Sequence, residues 1–508
     1  MNKLTYFILF LALGLTACVD DDSRGITTPL PELSIAGSDS ETMPVYNVYY
    51  GDELTIDPQV QATSQDLSYT WSYGTYTEIS STTARKGELT EISTDPVLRY
   101  SFAEKGTYYV HLVVTDGTVG SVMEYRVNVN DYYEKGILVI ANSDDGQGNL
   151  GFIKELTNED VAAGMTWRVE EHCLEAVNPD LEVSTIVGAD RVTSSSLFDR
   201  TESPIMLVSL EDKCLYVNST TFEINSQSNY DEVTSGFRAS HFISSDSNSS
   251  NPFVYDKTQG KFIHFQKAYW FIYEYSYPFF HQSYDDIVLG YTFQASTGDL
   301  IQDPIFIDYA KPEVSCFDSN MADKAGTGDL LTGKTILMVT HETNTTASTL
   351  HIVAQSNDNP LEITQYTVNR DYDFDAWTVF YSPAENGVQT YTASTADGIP
   401  AQGTHMALAQ DYQVAFYPIG NELYAYYLLN ASPRLPSTPL ITYPAGEEIT
   451  CLNVNVATNE LYVGTYTEAT GRGNVYIYSV ANLTSGNLEP THEFLQSTDR
   501  IVDIRYKN

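Results

Sequence analysis

From Leu33 onward, apolar and polar residues alternate with a period of two in short runs, the mark of strands that bury one face. Leu54-Thr55-Ile56, Leu67-Ser68-Tyr69-Thr70-Trp71, Tyr108 to Val114 and Tyr125 to Val129 are examples. Short strands and turn signals over residues 32–130 predict a β-sandwich. Asn130-Asp131-Tyr132-Tyr133-Glu134-Lys135-Gly136 reads as a boundary. Beyond it the same unit recurs: a strand, a polar turn, a strand. It runs over Phe253 to Phe265, Val414 to Tyr426, Val454 to Val463 and Met206 to Val217. A longer-looped form covers Ile137 to Ile153, Leu461 to Tyr478 and Ile336 to Val353. Repeated hairpins with almost no helical periodicity predict a β-propeller over 131–508, because a small twisted sheet cannot bury both faces alone and a ring of sheets can. At about 40 to 54 residues per blade, seven or eight blades fit. Ile501 to Tyr506 is placed to complete a blade with an early strand and close the ring. A second set of β-sandwiches is the competing fold; it leaves the hairpin repetition unexplained. One helix is expected, from Thr157 as N-cap, with Asp160 three residues on, to Val177.

The amino-terminal residues break this pattern. Lys3 precedes an uncharged apolar run, Leu4 to Gly14, and Leu15-Thr16-Ala17-Cys18 follows. The run is too short to span a bilayer and has the layout of a secretory signal. Leu-Thr-Ala-Cys resembles the lipobox of bacterial lipoproteins. That resemblance implies removal of residues 1–17 and acylation of Cys18, and several acyl chains together anchor stably. Residues 18–31 then form a tether. Val19-Asp20-Asp21-Asp22-Ser23 resembles the acidic export signal of Bacteroidota lipoproteins, which implies display on the outer face of the outer membrane.

Charge narrows the partners. With 67 acidic against 26 basic residues and a net charge of −41, nucleic acid is excluded as a natural partner, since phosphate binding needs a basic face. Polyanionic glycans are disfavoured on the same ground. Cys173, Cys214, Cys316 and Cys451 are widely spaced and form no CxxC. They leave both one or two disulfides and free buried thiols open.

Chemistry-bearing motifs break off before completion. His341-Glu342-Thr343-Asn344-Thr345 begins like a zinc-protease helix, but Thr345 stands where the second histidine is needed, and the stretch reads as strand. Asp371-Tyr372-Asp373-Phe374-Asp375 begins like a calcium loop, but Ala376 and Ser382 replace the required Gly and Glu. A solvated strand edge is the better reading, with calcium in a surface loop as the competing one, and no cofactor is expected beyond the lipid on Cys18. A pair of carboxylates for glycoside hydrolysis is neither indicated nor excluded. The densest aromatic stretch runs from Ala268 to Phe293. Tyr269, Trp270, Tyr273, Tyr275, Tyr277 and Tyr284 are its candidate ligand-stacking residues. Packing in the core is the competing account of the same rings.

Tyr69 to Gly74, Phe102-Ala103-Glu104-Lys105-Gly106-Thr107-Tyr108 and Leu112-Val113-Val114-Thr115-Asp116-Gly117 together resemble a PKD domain. The resemblance covers about 32–130 and departs from the family at Tyr73-Gly74, where many members have Phe-Gly-Asp-Gly. It implies that Trp71 sits in the sandwich core. Lipobox, acidic tail, PKD-like module and Tyr-rich β-domain together resemble the PKD-like surface lipoproteins of Bacteroidota. That implies an accessory of a SusC/SusD-like TonB-dependent importer. Its expected role is non-catalytic, binding oligopeptide or neutral glycan, the transporter, or both. A surface glycosidase or peptidase of the same system is the alternative.

Overall fold

The computed structural model describes residues 32–507, apart from 41, 81–82, 163, 193–204, 244–252, 267–270, 275–284, 295–298, 318–323, 344–347, 374–377, 429–433, 456 and 484–487. At some strand positions, among them 271–274 and 288–294, the backbone alone is described. The chain is all-β and forms two compact units that divide between Asn130 and Asp131.

In the first unit the main sheet runs Val45–Tyr49, Gly120–Asn130, Gly106–Thr115, Ser68–Ser80, Thr83–Lys86, with Thr90–Ser93 also paired to Ser68–Ser80. The Val45–Tyr49 pairing is parallel and the others are antiparallel. Two small sheets, Leu33–Ile35 with Val60–Ala62 and Leu54–Ile56 with Leu98–Tyr100, share one core with it. Period-2 alternation sends Tyr69, Trp71 and Tyr73 to that core, where Trp71 is fully buried beside Val110, Leu112 and Val127. Its indole N–H donates to the Asp95 carbonyl at 2.8 Å, so the ring is satisfied as well as packed. Trp71→Phe should lower the stability of this unit by about 2 kcal/mol through lost volume and the lost bond. Urea unfolding followed by circular dichroism would measure it, and an unchanged midpoint would show that the indole is not a packing element.

The second unit contains, among the described residues, seven four-stranded sheets. Six are consecutive runs of the chain. The first is not: Gly136–Asn142, Gly148–Lys154 and Val169–Glu170 are joined by Arg500–Lys507 from the far end. Arg500–Lys507 lies antiparallel on Gly136–Asn142, with Ile137 opposite Tyr506 and Val139 opposite Ile504. The innermost strands, in order, are Arg500–Lys507, Ile186–Val192, His241–Ile243, Asp286–Gln294, Lys334–Thr343, Ala407–Ala409 and Glu447–Asn455. Each lies against the next, and the last returns to the first. This is a propeller-like ring.

Burial explains why it holds together. Gly148–Lys154 and Ile205–Leu210 are buried at every position, not at alternate ones. Both faces of the first two sheets are therefore covered along these strands, and neighbouring sheets supply the covering. Leu138, Ile140 and Phe152 of the first sheet pack with Met206, Val208 and Leu215 of the second. Ile137 and Val139 pack on their other side with Tyr462, Val475 and Ile477 of the seventh. The third and fourth sheets meet through Phe262 and Phe306, edge to face at 5.3 Å. The hairpins predicted from the sequence occur at the expected places. Asn459 (φ 55°) and Gly420 (φ 60°) take the left-handed conformation their tight turns demand.

The expected helix from Thr157 to Val177 is corrected. Thr157 does cap a helix. Its Oγ1 accepts from the Asp160 N–H at 3.2 Å, and its own N–H donates to Asp160 Oδ2 at 2.9 Å. The helix, however, is only Asn158–Ala162. Gly164 turns left-handed (φ 88°), Val169–Glu170 joins the first sheet as its outer strand, and Cys173–Val177 is a separate single turn. Pairing to Phe152 and Ile153 outweighs the helical pattern.

Candidate functional site

Six of the inner strands, with Thr404 and His405 just before the Ala407–Ala409 strand, line a cavity of about 430 Å³. That size suits a tripeptide or a small oligosaccharide. Val187, Ile243, Ile287, Val339, Ile449 and Leu452 supply apolar wall; His241, Asp286, Tyr309, His405, Thr450 and Asp503 supply polar atoms. The sheets bring these groups together from segments far apart in the chain.

His241 and Asp286 face each other on adjacent inner strands, His241 Nε2 standing 3.8 Å from Asp286 Oδ1. Their side chains remain 27% and 37% open, which directs them to the cavity. Ser240 fixes the imidazole. Its hydroxyl donates to the Tyr255 carbonyl at 2.9 Å and accepts the Lys257 N–H at 3.0 Å. With its single proton spent, it can only accept from His241 Nδ1, 2.9 Å away. Satisfying all three contacts at once requires the Nδ1–H tautomer, in which Nε2 presents a lone pair to the cavity. Burial pushes the His241 pKa below its ordinary value; Asp286 opposes that shift and Lys257 reinforces it. On the other side, the Tyr309 hydroxyl donates to Asp286 Oδ2 at 3.2 Å. Burial, then the charge and hydrogen bond of Asp286, raise the Tyr309 pKa, so it remains a neutral donor.

Across the cavity Arg505 donates to Asp503 Oδ2 at 2.5 Å and lies 3.3 Å from Asp190 Oδ2. Two carboxylates thus share one guanidinium. His405 Nε2–H donates to the Leu452 carbonyl at 3.1 Å, so this ring spends its proton on the wall. The cavity therefore carries an excess of negative charge, concentrated at Asp286.

The residues singled out from the sequence fall elsewhere. Tyr269, Trp270, Tyr275, Tyr277 and Tyr284 lie outside the described residues, as does Cys18. The Tyr273 backbone belongs to Phe271–Glu274, the outermost strand of the third sheet, three strands from the inner one. Asp371 and Asp373 have strand backbone, opposite Phe380 and Thr378. His341 and Glu342 also lie in a strand. Glu342 is held by His351 Nε2 at 3.2 Å and by Gln413 at 3.0 Å, and these bonds keep its carboxyl below its usual range. Cys173, Cys214 and Cys451 are buried free thiols, and burial pushes the Cys173 pKa up to about 12. They are unreactive packing groups.

Glu171, His172 and Asp499 bring one ligand atom each within 4.8 Å of one another. Arg472 already occupies their charge, 2.7 Å from Glu171 Oε2 and 3.5 Å from Asp499 Oδ1. Asn149 donates to both carboxylates as well, at 3.2 and 2.8 Å. Asn149 and Arg472 belong to the first and seventh sheets and the other groups to segments beside their strands, so the cluster acts as a clasp where the ring closes.

No family model matches the sequence, and no curated protein matches it. Among solved structures, a quinoprotein alcohol dehydrogenase-like protein of Bacteroides thetaiotaomicron is similar over 94% of this chain and 98% of its own, with 14% identity and a TM-score of 0.41. A dihydro-heme d1 dehydrogenase is similar over 74% and 75%, with 9% identity and a TM-score of 0.37. A chain of the mitotic checkpoint complex is similar over 63% and 84%, with 10% identity and a TM-score of 0.36.

Proposed function

We propose that this protein is a lipid-anchored, non-catalytic binding protein on the outer face of an outer membrane. In this reading a PKD-like sandwich carries a seven-bladed propeller whose axial cavity holds a short oligomer for a SusC/SusD-like importer. The observation that carries the binding reading is the cavity, which six inner strands and the Thr404–His405 segment line with convergent donors and acceptors on an apolar wall. The sandwich assignment draws support from the core position of Trp71, and the blade number from the seven sheets. The aromatic stretch 269–284 keeps a secondary place as a contact for ligand or transporter. Anchoring rests on Leu15-Thr16-Ala17-Cys18 and the acidic residues after it. Among the described residues no helix is long and apolar enough to cross a membrane.

Titration calorimetry with defined oligopeptides and neutral oligosaccharides tests the binding reading, with product analysis of the same mixtures by mass spectrometry. Saturable binding without turnover is expected; cleavage at micromolar protein would replace it with the hydrolase reading. Cys18→Ala should move the protein from the membrane fraction to the soluble one, and protease added to intact cells should reach the wild type. Protection until lysis would place it on the inner side.

A further inference from the structure

The axial cavity contains two acceptors without a donor between them. In the Nδ1–H tautomer that the three Ser240 contacts require, His241 Nε2 has its lone pair exposed. Asp286 Oδ1, 3.8 Å away, accepts the N–H of Ile287 and keeps its remaining capacity for the cavity, while Oδ2 takes the Tyr309 hydroxyl. At 3.8 Å the two are too far apart to bond to one another, and facing lone pair and carboxylate repel. Among the described residues no donor reaches Nε2. One nitrogen carrying two or more protons can lie at about 2.9 Å from both. A single sugar hydroxyl has one proton for the two of them, and two adjacent hydroxyls would leave the Asp286 charge without a counter-charge, which an ammonium supplies. Arg505, the cation among the residues that line the cavity, is bound to Asp190 and Asp503 and does not supply the charge.

We propose that this pair is the seat of a primary ammonium group, which bridges His241 Nε2 and Asp286 Oδ1. The ligand is then the free amino end of a short peptide rather than a neutral glycan. This deepens the reading of the cavity as a ligand site and rests on it. The apolar wall of Ile243, Ile287 and Ile307 receives the portion of chain beyond the amine. Protonation of His241 converts Nε2 from acceptor to donor and pairs it with Asp286. The seat therefore closes as pH falls through the histidine's range. The charged and titratable groups around His241 are Asp286, Asp285, Lys257, Tyr255 and Tyr309. Lys257 Nζ is directed to the Asp285 carbonyl and Tyr255 is buried under the imidazole.

Titration calorimetry on the full chain with trialanine, N-acetyl-trialanine and maltotriose decides it. Trialanine should bind; N-acetylation should weaken binding about ten-fold or more, and Asp286→Asn should weaken trialanine by a similar factor. Imidazole ¹⁵N spectra of the wild type provide a readout independent of any variant. They should show the Nδ1–H tautomer, with the His241 Nε2 resonance shifting on addition of trialanine and not of its acetylated form. Equal binding of the acetylated peptide, preference for maltotriose, or an Nε2–H tautomer would overturn the ammonium seat and leave the cavity as a ligand site. Failure of all three probes to bind would overturn both.

Discussion

A chain ended at Asp499 is expected to lose the folded second unit entirely. Arg500–Lys507 is the inner strand of the first sheet and the step at which the ring closes. It brings Ile501 and Ile504, both essentially buried, into the core shared by the first and seventh sheets. Burying two such side chains is worth about 1.5–3 kcal/mol each, before the ladder hydrogen bonds along Gly136–Asn142 are counted. Arg505 also bridges to Asp190 on the second sheet, and Asn453 of the seventh donates to the Ile504 carbonyl at 2.9 Å. Loss of the strand also exposes Ile137, Val139 and Tyr462 and leaves an unpaired edge, and the total is comparable to the roughly 5–15 kcal/mol of net stability a folded unit has. The shortened chain should show no cooperative near-UV transition and should bind a hydrophobic dye. A synthetic peptide of residues 499–508 should restore part of the transition. Melting within a few degrees of the full chain would mean that the ring does not depend on this closure.

The hairpins were legible because their signals are local. Val414 to Tyr426 and Phe253 to Phe265 carry strand, turn and strand within one short window, and the turn residues announce themselves. The closing strand was legible for another reason: Ile501 to Tyr506 is an unmatched strand pattern at the end of a series of paired ones. The helix over Thr157 to Val177 shows the limit. Its cap was written in Thr157 and Asp160, but its length was decided by pairing between Val169–Glu170 and Gly148–Lys154, a tertiary effect that propensity cannot register.

The cavity was not legible at all. His241 and Asp286 open their inner strands, Asp503 lies in the middle of its own and His405 just before another, with no common motif around them. Only the stacking of the sheets makes them neighbours. The tautomer of His241 depends on a serine whose proton is claimed by a carbonyl on the adjacent strand, a relation no spacing encodes. Composition drew attention instead to the aromatic stretch 269–284, since Tyr and Trp are conspicuous in a sequence and a single His–Asp pair is not. The same limitation applies to Glu342: the partial zinc motif marks its position, while its real partner, His351, comes from the neighbouring strand.

Stability should rise with pH between about 7 and 10, and Lys507 should be the main cause. Its side chain is 2% exposed beneath the segment that opens the second unit, and Nζ donates to the Tyr133 and Glu134 carbonyls at 2.5 and 2.7 Å. Two N–H groups suffice for two carbonyls, so the neutral amine fits without loss. Burial, then the like charge of Arg191, lowers its pKa to about 7, although Glu134 and Asp131 oppose the shift. An unfolded lysine titrates near 10.4. Between those values the unfolded chain holds one proton that the folded chain does not, and stability must increase with pH across the window. Below about 7 both states are protonated and the folded state bears the full cost of the buried ammonium. Across the window the change is of the order of 4–5 kcal/mol at most. Lys507→Met removes the titrating group while keeping an apolar stem of similar length beside Phe152, so its stability should be much flatter over the same range. The difference between the two proteins is the diagnostic quantity, because loss of the carbonyl partners shifts the variant by a constant amount. Guanidinium unfolding of both at pH 6, 7, 8, 9 and 10 would give it. Parallel curves would show that the amine stays charged when folded, held by Glu134 and Asp131 against the burial.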